Sequence, residues 1–167
     1  MRKAQWLLVM SVCAASIGAP PVSTMAAQTV VVPPAGSHER TDILDAIRPS
    51  EPGEDGSTVR FVVHTLREVQ GRNARFAYAS VEPSKGEFEA GEYILEKRGQ
   101  WRVIWSVAGG GANTCGDLAA YYLSAITYLT KHGVTPDLLA PHLRPEQKRL
   151  AACDPDLSEV GDMGPAL

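Results

Sequence analysis

The sequence has no hydrophobic run as long as a membrane-spanning helix, and it carries no excess of basic residues. Its longest apolar stretch begins at Trp6 and continues through small residues to Ala19, whereas a spanning helix needs about 20 predominantly apolar residues. The formal net charge is −3, and a nucleic-acid partner requires a basic face. These absences predict a mature protein without a membrane span and without a nucleic-acid partner.

The sequence also lacks the short motifs that mark common metal and catalytic sites. It contains no HExxH, no HxH and no Cys/His cluster, so a zinc site would have to be assembled from distant residues. It contains no GxSxG nucleophile elbow, and no cysteine nucleophile remains if the cysteines pair. We therefore predict no metal, no cofactor and no catalytic residue from local motifs.

A run of three glycines, 109–111, precedes a predicted helix start, as in many phosphate-binding loops. A Walker loop needs Lys and then Ser or Thr after its glycines, but Gly116 is followed by Asp117. A dinucleotide fingerprint needs a third glycine where Thr114 stands. The run is therefore predicted to be a turn between sheet and helix, with Thr114 as N-cap and Asp117 as its capping-box acid.

The N-terminal residues predict export from the cytoplasm. Arg2 and Lys3 precede the apolar run, and no acidic residue occurs before Glu39, which is the pattern of a secretory signal peptide. We place the cleavage after Ala26, because small residues occupy the positions before it. A lipoprotein cysteine at Cys13 is the alternative, but the small residue expected before it is missing. The predicted location is periplasmic or secreted.

Few cysteines are present, and this limits their chemistry. The chain has three cysteines, of which Cys115 and Cys153 remain after signal cleavage. In an oxidising compartment an isolated pair most simply forms a disulfide. A redox-active pair normally uses CxxC spacing, which is absent here. The sequence therefore predicts a structural Cys115–Cys153 bridge.

Beyond residue 37 the pattern predicts a single α+β domain over residues 38–153. A short helix capped by Ser37 precedes four runs with period-two alternation, which is typical of an antiparallel meander. The predicted fold is a short N-terminal helix against a four-stranded, cone-like antiparallel meander, followed by a disulfide-linked helical C-terminal part. The predicted strands are 58–69, 74–82, 87–97 and 101–108, after a flexible lead-in at 27–37; the helical part is 114–153 and an acidic tail is 154–167.

Apolar residues occur on both faces of the predicted sheet. In its last strand Trp101, Val103, Trp105 and Val107 alternate, so they are predicted to share one face. A sheet with two apolar faces needs cover on both sides, or it curves around a helix. The sequence leaves both arrangements open.

Three segments of the sequence carry a family resemblance: "ILDAIRP" at 43–49, "VRFVVHTLREVQGRNARFAYASVEP" at 59–83 and "EYILEKRGQWRVIWSVAGG" at 92–110. Together they resemble a family of uncharacterised bacterial exported proteins. The layout also resembles the cystatin-like and nuclear-transport-factor-like core, in which a helix sits inside a curved antiparallel sheet. That resemblance implies an α+β cone but assigns no chemistry, because such folds host enzymes, binders and inhibitors alike.

Aromatic side chains are the best candidates for a binding surface. They could line a cavity for an apolar or carbohydrate-like ligand between helix and sheet, or, on the predicted long helix, form a protein interface. The competing interpretation is that they fill the core. The candidates are Tyr78, Trp101, Trp105, Tyr121 and Tyr122.

Two functions of different classes remain open from the sequence. The favoured one is an exported non-enzymatic protein that binds another envelope protein or a small apolar ligand. The alternative is a small periplasmic hydrolase or isomerase whose acid or base lies inside the cone, with His64 or Glu92 as the inward-facing candidate.

Overall fold

The computed structural model of the protein describes residues 27–48, 59–84, 90–165 and 167. Among these residues the chain has an α+β fold, which confirms the predicted class; the predicted signal peptide at 1–26 lies outside them. The elements are β1 Val30–Val31, α1 His38–Ile47, β2 Phe61–Gln70, β3 Arg75–Pro83, β4 Gly91–Arg98, β5 Gln100–Thr114, α2 Cys115–Lys131, α3 Pro136–Leu139, α4 Leu143–Ala151 and β6 Ser158–Met163. The strands form one antiparallel sheet in chain order.

Among the described residues the sheet has six strands, whereas the sequence pattern predicted four. In β1, Val30 pairs with Val69 and Val31 pairs with Glu68, although this segment was expected to be a flexible lead-in. At the other edge β6 pairs with β5, within the expected acidic tail. Neither segment alternates between apolar and polar residues over enough positions to give a strand signal.

The glycine run lies inside β5, so the expected turn between sheet and helix is wrong. The strand continues to Thr114 and pairs Ala112 with Val160 and Thr114 with Ser158. The register shifts between Ala108 and Ala112, and glycines in a strand commonly accompany such an irregularity. After the shift, the last three residues of β5, 112–114, lead directly into α2.

Helices cover both faces of the sheet, which is one of the two arrangements that the sequence left open. Helix α1 packs Ile43 and Ile47 against one face. Helices α2, α3 and α4 cover the opposite face with a second, larger core. Within the described part of the chain, no helix combines the length and the apolar character needed to cross a bilayer.

A bulge in β5 decides which tryptophan faces which layer. The pairing shifts between Ile94 and Leu95, whose partners are Trp105 and Val103. The extra residue reverses the alternation, so Trp105 packs with α2 whereas Trp101 packs with α1. The prediction that both tryptophans share a face is therefore wrong.

Both predicted helix caps are confirmed. The hydroxyl oxygen of Ser37 accepts a hydrogen bond from the Arg40 N–H at 3.2 Å. That of Thr114 accepts one from the Asp117 N–H at 3.1 Å, and its O–H donates to the Asp117 carboxylate at 2.7 Å. Side-chain caps of this kind satisfy amides that have no partner within the helix.

The predicted Cys115–Cys153 disulfide is confirmed. It joins the start of α2 to the residues that follow α4. At the same corner the Cys115 N–H donates to the Leu157 carbonyl at 2.8 Å, and the Gly116 N–H donates to the Pro155 carbonyl at 3.0 Å. The first amides of α2 are thus already bonded, and the helix start has none left for a phosphate.

Removing the disulfide should destabilise the protein without changing its fold. Crosslinking residues 38 apart restricts the unfolded chain, so the Cys115→Ala/Cys153→Ala variant should lose about 3–4 kcal/mol of unfolding free energy. Denaturant titration measures the loss. Adding reductant should lower the stability of the wild type toward that of the variant and leave the variant unchanged; equal stability of the two proteins under oxidising conditions contradicts the assignment.

Candidate functional site

The predicted binding residues do not form one surface. Four of them pack on the face covered by α2, whereas Trp101 lies on the α1 face. The candidates therefore lie in two separate environments. The four are Tyr78 from β3, Trp105 from β5, and Tyr121 and Tyr122 from α2.

The aromatic cluster on the α2 face is tightly packed. Trp105 is 0 % exposed; its ring stacks on Tyr121 at 5.4 Å between centroids and meets the edge of Tyr122 at 5.1 Å. The Tyr121 hydroxyl donates to the Ser106 carbonyl at 3.1 Å, and burial raises the pKa of Tyr121. Tyr122 is therefore part of the core and Tyr121 packs against it partly buried, so the two do not form an exposed pair on the helix.

A glutamate and a histidine meet beside this cluster. Glu92 of β4 and His142 of the turn before α4 bring Oε2 and Nε2 to 2.6 Å. Both atoms are shielded from solvent and neither makes a hydrogen bond to the described residues, although the His142 and Glu92 side chains are 35 % and 32 % exposed. The His142 ring lies against Tyr78, with centroids 5.2 Å apart. Burial and then the Glu92 charge raise the pKa of Tyr78.

The same neighbourhood contains another buried polar atom. The indole N–H of Trp105 has no hydrogen-bond partner among the described residues. Trp105 also touches Tyr122, whose pKa is raised by burial and then by the Glu92 charge. Buried donors without partners are uncommon in folded proteins, so Trp105 adds an unsatisfied polar group to the environment of Glu92 and His142.

His64 does not belong to that cluster. It is the extra residue of a bulge in β2, between Val63 and Thr65, and its side chain is 52 % exposed. Its Nε2 lies 3.2 Å from the Glu82 carboxylate. The expectation that His64 faces inward is therefore wrong. The histidine beside Glu92 is His142, which no sequence pattern distinguished.

Trp101 takes part in a charged network under α1. Its indole N–H donates to the Glu39 carboxylate at 2.7 Å, and Lys97 donates to the same group at 3.1 Å. Arg75 approaches Glu39 at 3.0 Å. Desolvation raises the pKa of Glu39, but hydrogen bonds from Lys97 and Trp101 and the Arg75 charge outweigh it and keep that pKa low.

The network also extends across the sheet to a groove. Arg75 donates to Glu68 at 2.7 Å, and both side chains line an open groove of about 730 Å³ beside β1. A smaller opening of about 430 Å³ lies near Trp101 and Lys97. The larger groove is in the size range of small-ligand sites, and none of the predicted aromatic candidates lines it.

A buried carboxylate links the sheet to α2. Glu96 is 0 % exposed, and it accepts hydrogen bonds from Arg102 at 2.6 Å and Arg98 at 2.8 Å. The Tyr128 hydroxyl lies 3.4 Å from it. Desolvation raises the pKa of Glu96, but the Arg102 and Arg98 hydrogen bonds outweigh that effect and lower it.

One group of three potential metal-ligating side chains occurs among the described residues: Cys115, Cys153 and Glu159. Its two sulfurs are joined in the disulfide. Thiolates, not disulfide sulfurs, are the metal ligands that cysteine supplies. This group is therefore better explained by the disulfide than by a metal.

No protein-family model, no curated protein and no solved structure matches the chain. Assignment of a function therefore depends on the geometry described above.

The low pKa of Glu96 predicts a specific acid sensitivity. A carboxyl whose folded pKa is lowered contributes stability above its unfolded pKa of about 4.3 and loses it as the pH falls through the folded value. Glu96→Gln should lower the unfolding free energy at pH 7 by about 1–3 kcal/mol and flatten its decline below pH of about 4.5. Denaturant titrations across pH measure both effects.

The exposed Asp156 provides the control for that experiment. Asp156→Asn should leave both the neutral-pH stability and the acid decline close to those of the wild type, because surface substitutions usually change stability little. An acid decline in Glu96→Gln as steep as that of the wild type contradicts the prediction.

Proposed function

We propose that the protein is an exported, non-enzymatic binding protein whose ligand site is the groove beside β1. The observation that carries the proposal is the groove itself, about 730 Å³ and open, with a mixed apolar and charged lining. Small-molecule sites have this size and this mixture of groups. The confirmed disulfide agrees with an oxidising compartment, and a periplasmic or secreted location is part of the proposal.

The proposal changes the residues expected to bind. Tyr78, Trp105 and Tyr122 are buried, and their contacts are those of a packed core. The groove instead lies at the sheet edge, where Val31 is 52 % exposed. The cone-like layout and the kinship with cystatin-like or nuclear-transport-factor-like proteins remain part of the same proposal, supported by a helix packed on an antiparallel sheet.

Filling the groove should prevent binding. Val31→Tyr adds an aromatic ring to a half-exposed strand position that tolerates one, and it should remove the ligand-induced rise in melting temperature that a small-molecule screen finds for the wild type. A ligand present at 100 times its dissociation constant adds about 2.7 kcal/mol of stability. Thermal-shift measurement detects a stabilisation of this size.

Val62 provides a matched control, because it is 49 % exposed on β2 and lies outside the groove lining. Val62→Tyr should keep the full ligand-induced shift. The groove is excluded as the site if Val31→Tyr and Val62→Tyr respond alike to a ligand that stabilises the wild type.

A second candidate function, a small hydrolase or isomerase, is favoured by the contact between Glu92 and His142. A carboxylate against one imidazole nitrogen orients the ring, so that the other nitrogen can act as a general base. His142→Asn should then lower turnover by about 10² to 10⁴-fold, while His64→Asn at the exposed bulge should not. Turnover that survives His142→Asn, or a screen of esters and amides without turnover, excludes this candidate.

A further inference from the structure

We infer that the groove beside β1 takes a small ligand with an apolar body and one terminal anionic group, carboxylate or phosphate, and that Arg72 is its anchor. The inference rests on the proposed function of the groove as a binding site. It adds the chemical class of the ligand, which follows from the charges that line the groove and from the way Arg72 is held.

Among the described residues that line the groove, Arg72 is the cation without a carboxylate partner. Arg75 donates to Glu68 at 2.7 Å and lies 3.0 Å from Glu39, so its charge is already compensated. Arg72 also lines the groove, and no carboxylate of the described residues lies within ion-pair distance of it. Guanidinium groups bind carboxylates and phosphates through paired, charge-assisted hydrogen bonds. The unmatched charge therefore favours an anionic ligand group.

The neighbouring backbone holds Arg72 in place. Its N–H donates to the His132 carbonyl at 2.9 Å, and its aliphatic stem lies across Gly133. A Cβ at position 133 would lie 2.6 Å from the Arg72 Cγ and 2.9 Å from its Nε. The absence of that Cβ lets the stem lie close to the backbone, and a side chain held in this way loses less entropy when a ligand binds.

The wall next to Arg72 is fixed as well. The Gln28 amide donates to the Gln70 carbonyl at 3.1 Å and to the Gly133 carbonyl, and it accepts from the Thr135 N–H at 2.8 Å. These bonds hold the segment leading into β1 against the α2–α3 loop. Val31 supplies exposed apolar surface to the same groove, which accounts for the apolar body of the ligand.

Four probes with the same eight-carbon chain test this inference: octanoate, octyl phosphate, octanol and octylammonium. Calorimetric titration of the wild type should give about ten- to a hundredfold tighter binding of the two anions than of octanol, as charge-assisted hydrogen bonds provide. Octylammonium should bind least. A preference for one anion over the other identifies whether carboxylate or phosphate is the better headgroup.

Variants assign the preference to Arg72. Arg72→Gln should lower affinity for both anions to that for octanol and leave octanol binding unchanged. Lys148→Gln removes the same charge at an exposed position of α4, away from the groove, and should leave the anion preference intact. An anion preference that persists in Arg72→Gln, or that is lost equally in Lys148→Gln, overturns the inference.

The failure of this inference can be told apart from failure of the groove as a site. Equal affinity for octanol and octanoate, with both lost in Val31→Tyr, overturns the anionic class and keeps the groove as a binding site. If no probe binds in a manner sensitive to Val31→Tyr, the inference is overturned, and a full small-molecule screen without a Val31-sensitive ligand overturns the proposed function too.

Discussion

The structure depends on a sheet that is apolar on both of its faces. Each face needs a layer of helix to exclude water, and the protein meets this need unequally, with the single helix α1 on one face and α2, α3 and α4 on the other. A single helix has little apolar area with which to hold its position. The charged network that joins Glu39 to Lys97, Arg75 and Trp101 supplements that area.

The two layers give the protein two kinds of polar environment. On the α1 face, carboxylates and cations are matched with one another and continue to an open groove through Arg75 and Glu68. On the α2 face, Glu92 meets His142, whose ring lies against Tyr78. Binding requires open space, which the groove provides, whereas the contacting atoms of His142 and Glu92 are shielded from solvent although their side chains are 35 % and 32 % exposed. This difference in access is the physical reason for preferring the groove as the ligand site.

Local rules in the sequence predicted local structure well. The caps at Ser37 and Thr114 were predicted correctly because a cap depends on a few neighbouring residues. The Cys115–Cys153 bridge was predicted correctly because it depends on redox chemistry alone. The sequence did not predict the bulges at His64 and Ile104, since one extra residue has no compositional signature, and each bulge changes which side chains point inward. Contacts such as Glu92 with His142, or Gln28 with the α2–α3 loop, depend on tertiary packing and were equally inaccessible.

The last strand of the sheet, β6, follows α2, α3 and α4 in the sequence. Until β6 pairs with β5, the outer edge of a long strand is unprotected, and open edges of this kind recruit other chains. The disulfide corner keeps the segment preceding β6 close to that edge, because Leu157 and Pro155 bond to the start of α2. During folding, oxidation of Cys115 and Cys153 thereby shortens the time for which the β5 edge is open to self-association; once β6 has paired, that edge is covered in the reduced chain as well.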